Sequence, residues 1–277
     1  MEILMLKTRV IVAAVLIAAL LALTLWLPPV CIAVMVVLLG VIGVYELMNA
    51  AGEKKNVRLM IWPAVTAAAI PLGFYFGAAE TVLRISLTFL MVTLFAEAVF
   101  TYGGEKQVPV SSVFTGFFGG LIVPVCLSAL VSLRLMNNGG LLIIMAFVIT
   151  AVSDTGGYFG GMLFGKHKGV IKASPNKSLE GFAGSFILGI VGILIFGIIM
   201  DKAVGISVNY GYLVLYAALG NITTQIGDLA FSVAKRQYGI KDYGNLLPGH
   251  GGVLDRFDSM IFTGPVIYLL VTCFPAF

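Results

Sequence analysis

GFAGSFILGIVGILIFGIIM, residues Gly181 to Met200, runs for twenty residues without a single charge. As an α-helix it would be about 30 Å long at 1.5 Å per residue, the thickness of the hydrocarbon core of a bilayer. Lipid offers no partner to a bare peptide group, so a run of this kind crosses as a helix. Working outward, eight further apolar runs have the same character. They are Val10–Leu27, Val30–Met48, Leu59–Phe76, Val82–Phe100, Val113–Leu133, Leu141–Gly161, Tyr212–Phe231 and Phe257–Phe274. The Pro28-Pro29 pair separates the first two, because proline cannot continue the helical ladder. No small-residue cleavage site follows the first run at Leu27-Pro28-Pro29, so it reads as a retained anchor. The chain is 60% hydrophobic and 11% charged, against about 25% charged in a soluble domain. These features predict an all-α, polytopic integral membrane protein with about nine transmembrane helices, forming a single membrane domain over residues 1–277.

Charge placement sets the orientation. With the N-terminus in the cytoplasm, 14 of the 17 Lys and Arg residues fall on the inner side, leaving Arg84, Arg134 and Lys202 outside. Both long polar loops, 165–180 and 232–256, then face the cytoplasm, where nucleotides are. Every aspartate but Asp201 belongs to the set Asp154, Asp228, Asp242, Asp255 and Asp258 in or beside the C-terminal spans and loops, while the first half carries only glutamates. Glu46, Glu53, Glu80, Glu97 and Glu105 mostly sit at span ends and read as interfacial. The chain therefore divides into an N-terminal helical scaffold, 1–140, and a chemically equipped half, 141–277. Cys31, Cys126 and Cys273 lie in apolar runs without metal-ligand spacing and read as packing residues.

The one long polar segment is SVAKRQYGIKDYGNLLPGHGGVLDRFD, Ser232 to Asp258. Its seven charged residues are Lys235, Arg236, Lys241, Asp242, Asp255, Arg256 and Asp258. Burying all seven in lipid would cost roughly 20 kcal/mol, so the segment lies at the membrane surface or in a wet, protein-lined cavity. Asp255 and Asp258, three apart at the start of the ninth run, fall on one helix face. They either cap a helix N-terminus or supply two hard oxygen donors of the kind Mg²⁺ prefers. Asp228 lies within the eighth run. It either pairs with Lys235 or Arg236, or joins the other two carboxylates around a divalent cation.

Asp154 reads as another buried carboxylate, able to join the metal or to hydrogen-bond a nucleotide. Gly157, Gly161 and Gly165 recur every four residues as a small-residue face that packs helices closely. The Pro248–Gly252 loop, PGHGG, is either a tight turn or a nest of backbone N–H groups around an anion. His250 in that loop could bind phosphate or move protons. Nearby Lys235, Arg236, Lys241 and Arg256 add weight to the phosphate reading. SPNKSLEG, Ser174 to Gly181, adds Lys177 and Ser178 just before a span, whereas Lys166 and Lys168 read as orientation signals.

The run S-x-x-K-R-x4-K-D-x-G-x2-L-P-G-H-G-G-x-L-D-R-x-D from Ser232 to Asp258 resembles the signature of the phosphatidate cytidylyltransferases. SPNKSLEG and the D-x-x-x-Y of Asp154–Tyr158 are similar to the same family. The resemblance covers residues 141–277 by motif and the earlier spans by architecture; Ala234 departs from it, where the family usually carries a larger aliphatic residue. It implies that phosphatidic acid and CTP give CDP-diacylglycerol and pyrophosphate, with Mg²⁺. It further implies metal ligands at Asp228, Asp255 and Asp258, with Asp228 and Asp255 the catalytic pair and room for a second cation such as K⁺. Phosphates would be held by Lys177, Ser178, Lys235, Arg236, Lys241, His250, Gly251, Gly252 and Arg256. Asp242 and Asp154 would orient a ligand.

On this reading the site is a polar cup at the cytoplasmic side of the C-terminal helices of a multi-pass cell-membrane protein, open to lipid on one side and CTP on the other. The bilayer is a partner, nucleic acid is not expected, and the glycine face makes a homodimer plausible. Rival readings are an ion-coupled transporter of a phosphorylated solute and a cytidylyltransferase with a different lipid phosphate acceptor. A CDP-alcohol phosphotransferase is excluded, because no D-G-x2-A-R motif is present.

Overall fold

The computed structural model describes residues 2–54, 56–169, 171–246 and 251–277, with side chains from residue 14 onward. Among these residues every regular element is helical. In chain order they are α1 (Glu2–Leu25), α2 (Pro29–Ala50), α3 (Val57–Tyr75), α4 (Ala79–Thr101), α5 (Val110–Phe117), a π-helical turn (Phe118–Ile122) and α6 (Val123–Leu135). There follow α7 (Gly139–Phe164), α8 (Leu179–Ile199) running into a second π-helical turn (Met200–Val204), α9 (Tyr210–Gln237) and α10 (Leu254–Cys273).

Eight of the nine apolar runs form the body of a single helix, while Val113–Leu133 spans α5, the π-helical turn and α6. Local chemistry sets several of the helix ends. Pro29 opens α2, where its missing N–H costs nothing. Asn56 caps α3 by accepting the Leu59 N–H at 3.5 Å, and Ser178 caps α8 by accepting that of Gly181 at 3.1 Å.

The protein is a polytopic all-α membrane protein. Six helical stretches among the described residues are long and apolar enough to cross a bilayer: Pro29–Ala50, Val57–Tyr75, Ala79–Thr101, Val110–Leu135, Gly139–Phe164 and Leu179–Val204. The sequence-based count of nine also includes α1, α9 and α10. α9 is less apolar because it carries Asn221, Gln225, Asp228, Lys235 and Arg236. Large apolar side chains such as Val99, Phe100, Leu163 and Ile187 stand exposed, as a surface solvated by lipid requires.

The chain folds as two compact units. One comprises Met1–Gly139 with Gln237–Phe257, the other Gly140–Arg236 with Asp258–Phe277. The described residues of 237–257, which hold most of the polar motif, thus group with the N-terminal helices.

In the first unit α2 packs on α3 and α6, and α3 on α4. The core is built from Val44, Met48, Leu59, Ala67, Ile70, Leu90, Leu94, Val113 and Leu121. Pro63 interrupts the hydrogen-bond ladder of α3. The Thr66 hydroxyl donates to the carbonyl of Gly120 at 2.8 Å, tying α3 to the π-helical turn. A Cβ on Gly120 would lie 2.6 Å from Pro63 Cα, so only glycine permits this approach.

In the second unit α7 and α8 meet along a seam of bare backbone. A Cβ on Gly156 would sit 2.6 Å from the Gly184 carbonyl oxygen, and one on Gly184 the same distance from that of Gly156. The seam runs along Gly156, Gly157, Gly160 and Gly161 against Gly181 and Gly184. Of the expected face, Gly157 and Gly161 take part, while Gly165 lies past the end of α7 beside Ser178. That face is used inside the unit and lends no support to a dimer.

Candidate active site

The second unit gathers carboxylates where α9 meets α10. Gly227 brings the two backbones together: a Cβ there would fall 2.8 Å from the Asp258 carbonyl oxygen and 3.1 Å from Ser259 Cα. The next residue, Asp228, is thereby delivered to the start of α10. Asp258 is buried, its carboxylate accepting the Ser259 N–H at 2.7 Å. Its charge is opposed by those of Asp228 and Asp154 and drawn by that of Lys235. A buried carboxylate beside a like charge is stable only when cations or protons offset it.

One such cation is Lys177, whose Nζ pairs with Asp228 Oδ2. Lys177 arrives because the loop between α7 and α8 folds back on itself: the Gly169 N–H donates to the Pro175 carbonyl at 3.0 Å and the Lys177 N–H to that of Ser174 at 3.1 Å. Ser178, expected to touch phosphate, is buried as the cap of α8.

Asp154 departs from its expected burial. Its side chain is exposed, and the buried neighbour is Ser153. The helical step of about 100° decides this: Ser153 shares the face of α7 that packs inside the unit, and Asp154 turns off it. Ser153 Oγ accepts from Asn221 Nδ2 at 2.6 Å, Gln225 donates to Asn221 Oδ1, and Ser185 donates to the Ser153 carbonyl at 2.8 Å. Thr224 and Thr263, also fully buried, share a hydrogen bond of 2.9 Å. Asn221, Thr224, Gln225 and Asp228 follow the i, i+3, i+4, i+7 pattern of one helix face. A polar stripe thus leads along α9 to the carboxylates, and its spacing was readable in NITTQIGD.

In the first unit the polar motif forms a turn that leads into α10. Asp255 Oδ2 accepts the N–H groups of Tyr243 at 2.8 Å and Gly252 at 2.9 Å. Gly251 has φ +83°, the left-handed region where glycine alone is at ease. Its ideal Cβ would approach Asp255 Oδ2 to 2.9 Å.

Beneath this turn lies a carboxylate that sequence reasoning assigned to the interface. Glu46 of α2 is 2% exposed and accepts the N–H groups of Val253 and Leu254, each at 2.8 Å. Lys241, Asp242 and Arg256 of this unit present exposed side chains, and so does Arg236 in the other unit. His250 lies outside the described residues.

Thus the structure joins Asp228, Asp258, Lys177 and Lys235 in one unit, with Asp154 within reach of their charges. Asp255, Gly251 and Gly252 come together in the other. Asp255 and Asp258 share the first two turns of α10. Among the described residues no three His, Cys, Asp or Glu side chains stand in a metal-ligating arrangement.

A family model described as the cytidylyltransferase family matches residues 7–274. The chain is similar to the phosphatidate cytidylyltransferase of Bacillus subtilis, with 29% identity over 254 residues, 87% of this chain and 88% of the relative. It is also similar to the protein of the same name from Staphylococcus haemolyticus, 44% identical over 129 residues, 47% of this chain and 48% of the relative. With that of Mycobacterium bovis it shares 38% identity over 166 residues, 60% and 52% of the two chains.

Proposed function

Because the chain belongs to the cytidylyltransferase family, we propose that it transfers the cytidylyl group of CTP to phosphatidic acid. An oxygen of the lipid phosphate attacks the α-phosphorus of CTP. The bond from that phosphorus to the bridging oxygen of the β-phosphate breaks, so CDP-diacylglycerol forms and pyrophosphate leaves. The similarity to the Bacillus subtilis phosphatidate cytidylyltransferase along most of both chains supports the choice of substrates. The observation that carries the reading is the set Asp228, Asp258, Lys177 and Lys235, carboxylates and amines held together in an apolar helical protein.

The donor set suits a hard divalent cation. Asp258 is buried against the like charge of Asp228, and the favourable charge on it comes from Lys235. Asp228, Asp258 and Asp255 would hold Mg²⁺, with a second cation such as K⁺ in the same centre. When bound, the metal offsets charge on the phosphate oxygens. The chain's own groups do the positioning on which such transfers depend. Lys177, already beside Asp228, supplies a mobile point charge for a phosphate. Lys235 and Arg236, in the last turn of α9, and Lys241 and Arg256 add further cationic contacts to the triphosphate and the lipid phosphate. Gly251 keeps a side chain away from the Asp255 carboxylate and Gly252 donates its N–H to it, and His250 completes the loop as a phosphate contact. Asp242 and Asp154 orient the nucleotide.

We take the chain to cross the cell membrane nine times, with the N-terminus and the site facing the cytoplasm. CTP then reaches the site from solution and phosphatidic acid from the inner leaflet. The excess of Lys and Arg in the corresponding loops supports that sidedness. A homodimer would have to use a surface other than the α7 glycine face.

The test is release of pyrophosphate by detergent-purified protein given phosphatidic acid and CTP, ATP, GTP or UTP, with and without Mg²⁺. Turnover requiring lipid, CTP and metal together is expected. Turnover with another nucleotide, or without lipid, contradicts the proposal.

A further inference from the structure

We infer that Glu46 is a positioning residue that sets the geometry of the Gly251–Asp255 turn from within the N-terminal helices. The effect on turnover rests on the cytidylyltransferase reading; the effect on the turn does not. Glu46 belongs to an apolar helix long enough to cross a bilayer, where a charged group persists only when it is partnered. Both of its oxygens are engaged: Oε1 by the N–H of Val253 and Oε2 by that of Leu254. These N–H groups lie at the start of α10, where the helix has no carbonyls of its own to offer them and where its dipole favours an anion.

The surroundings are cut to fit this carboxylate. A Cβ on Gly244 would lie 2.7 Å from Glu46 Oε1, and one on Gly252 would lie 2.7 Å from Oε2. A side chain at either position would push the carboxylate off the N–H groups it holds, so these two glycines fit a residue more than 190 positions away in the chain. One turn earlier on α2, Gly43 receives the side chain of Leu254, with 3.2 Å between its ideal Cβ and Leu254 Cδ2. Gly43 thus seats the side chain of the first α10 residue while Glu46 holds its backbone.

Asp255 follows directly and binds the N–H groups of Tyr243 and Gly252. Two carboxylates therefore bracket one turn, with Glu46 below it and Asp255 within it. Displacing Glu46 shifts the residue from which Asp255 acts. A general contribution to folding does not account for two glycines shaped around one carboxylate.

The experiment compares wild-type protein with Glu46→Gln, which keeps size and one acceptor but turns an amide donor toward the helix start. Amide hydrogen exchange is followed without nucleotide or added metal, beside steady-state kinetics with CTP and phosphatidic acid. Expected is faster exchange confined to residues 252–256, with kcat lower by roughly ten- to a hundredfold and KM for CTP little changed. Unchanged exchange at 252–256 overturns the inference. So does exchange that rises throughout both units, with kcat tracking the folded fraction.

Gly252→Ala gives a second arm. Its loss in kcat should shrink in a Glu46→Ala background, where the added methyl no longer meets the carboxylate. Strictly additive losses contradict the inference. A wild-type protein with no cytidylyltransferase activity would overturn the functional reading, and the exchange arm would still decide the role of Glu46.

Discussion

Lys177 reaches from the loop before α8 to pair with Asp228 in α9, the two side chains being 29% and 31% exposed. This bond ties the SPNKSLEG loop to α9 at a point four residues before the segment that begins at Ser232. Because both partners are about a third exposed, water screens the pair, and losing it should cost about 1 kcal/mol of stability or less. Its value is chemical. Lys177→Ala should lower kcat/KM for CTP by roughly a hundredfold with nearly unchanged thermal unfolding in detergent, measured side by side on the same preparation. Parallel losses of activity and folded protein would remove Lys177 from the site.

The seam between α7 and α8 has no room for a side chain at Gly184, whose Cβ would meet the Gly156 backbone. Gly184→Val should therefore destabilise by about 1–3 kcal/mol through overpacking. Thermal unfolding followed by size-exclusion recovery measures this. Gly205, where a Cβ would meet nothing within 4 Å, is the control for steric space, although its φ of +75° favours glycine.

Asn221 is the hub of the buried polar network, bonded to Ser153 and Gln225. Asn221→Leu would strand the buried Ser153 hydroxyl and remove a partner of Gln225, at a cost of about 1–3 kcal/mol. The same unfolding assay should show that loss. Replacing Thr223, which is only partly buried and bonds mainly to its own helix, should change stability less.

Lys54 lies on the exposed rim of the first unit, away from any described hydrogen bond of the Asp255 turn. Lys54→Ala should leave turnover within about twofold of wild type, as surface substitutions away from structural features usually do. Pyrophosphate release under saturating substrates is the check, and a deep loss would extend the site to that loop.

Most helices were legible in the sequence because uncharged runs of about twenty residues have few alternatives in lipid. Asp228 and Asp258 were legible for the same reason inverted: a charge in such a run must have company. The identity of that company was not. Lys177 finds Asp228 through the fold-back of a loop, which no helical periodicity encodes. Asp154 seemed buried because it is surrounded by apolar and small residues, yet one helical step separates it from the buried Ser153.

Glu46 was hidden by its position near the end of a span, where an acidic side chain ordinarily meets water. Only the distant glycines of the motif, read as flexible backbone, hinted at something filling the space beside them. Gly244 and Gly252 are small because Glu46 stands there.

Asp255 carries the most of the metal reading, since it lies in the first turn of α10, braces the Gly252 turn and is one of the three proposed Mg²⁺ ligands. The measurement is CDP-diacylglycerol formation by purified Asp255→Asn from CTP, phosphatidic acid and a series of Mg²⁺ concentrations, with membrane insertion and thermal unfolding checked on the same protein. Asn keeps the shape and an acceptor for the turn but removes the charge a metal needs. The account predicts turnover at background across the whole Mg²⁺ series in a protein that inserts and folds as wild type. Near-normal turnover at any Mg²⁺ concentration would contradict it.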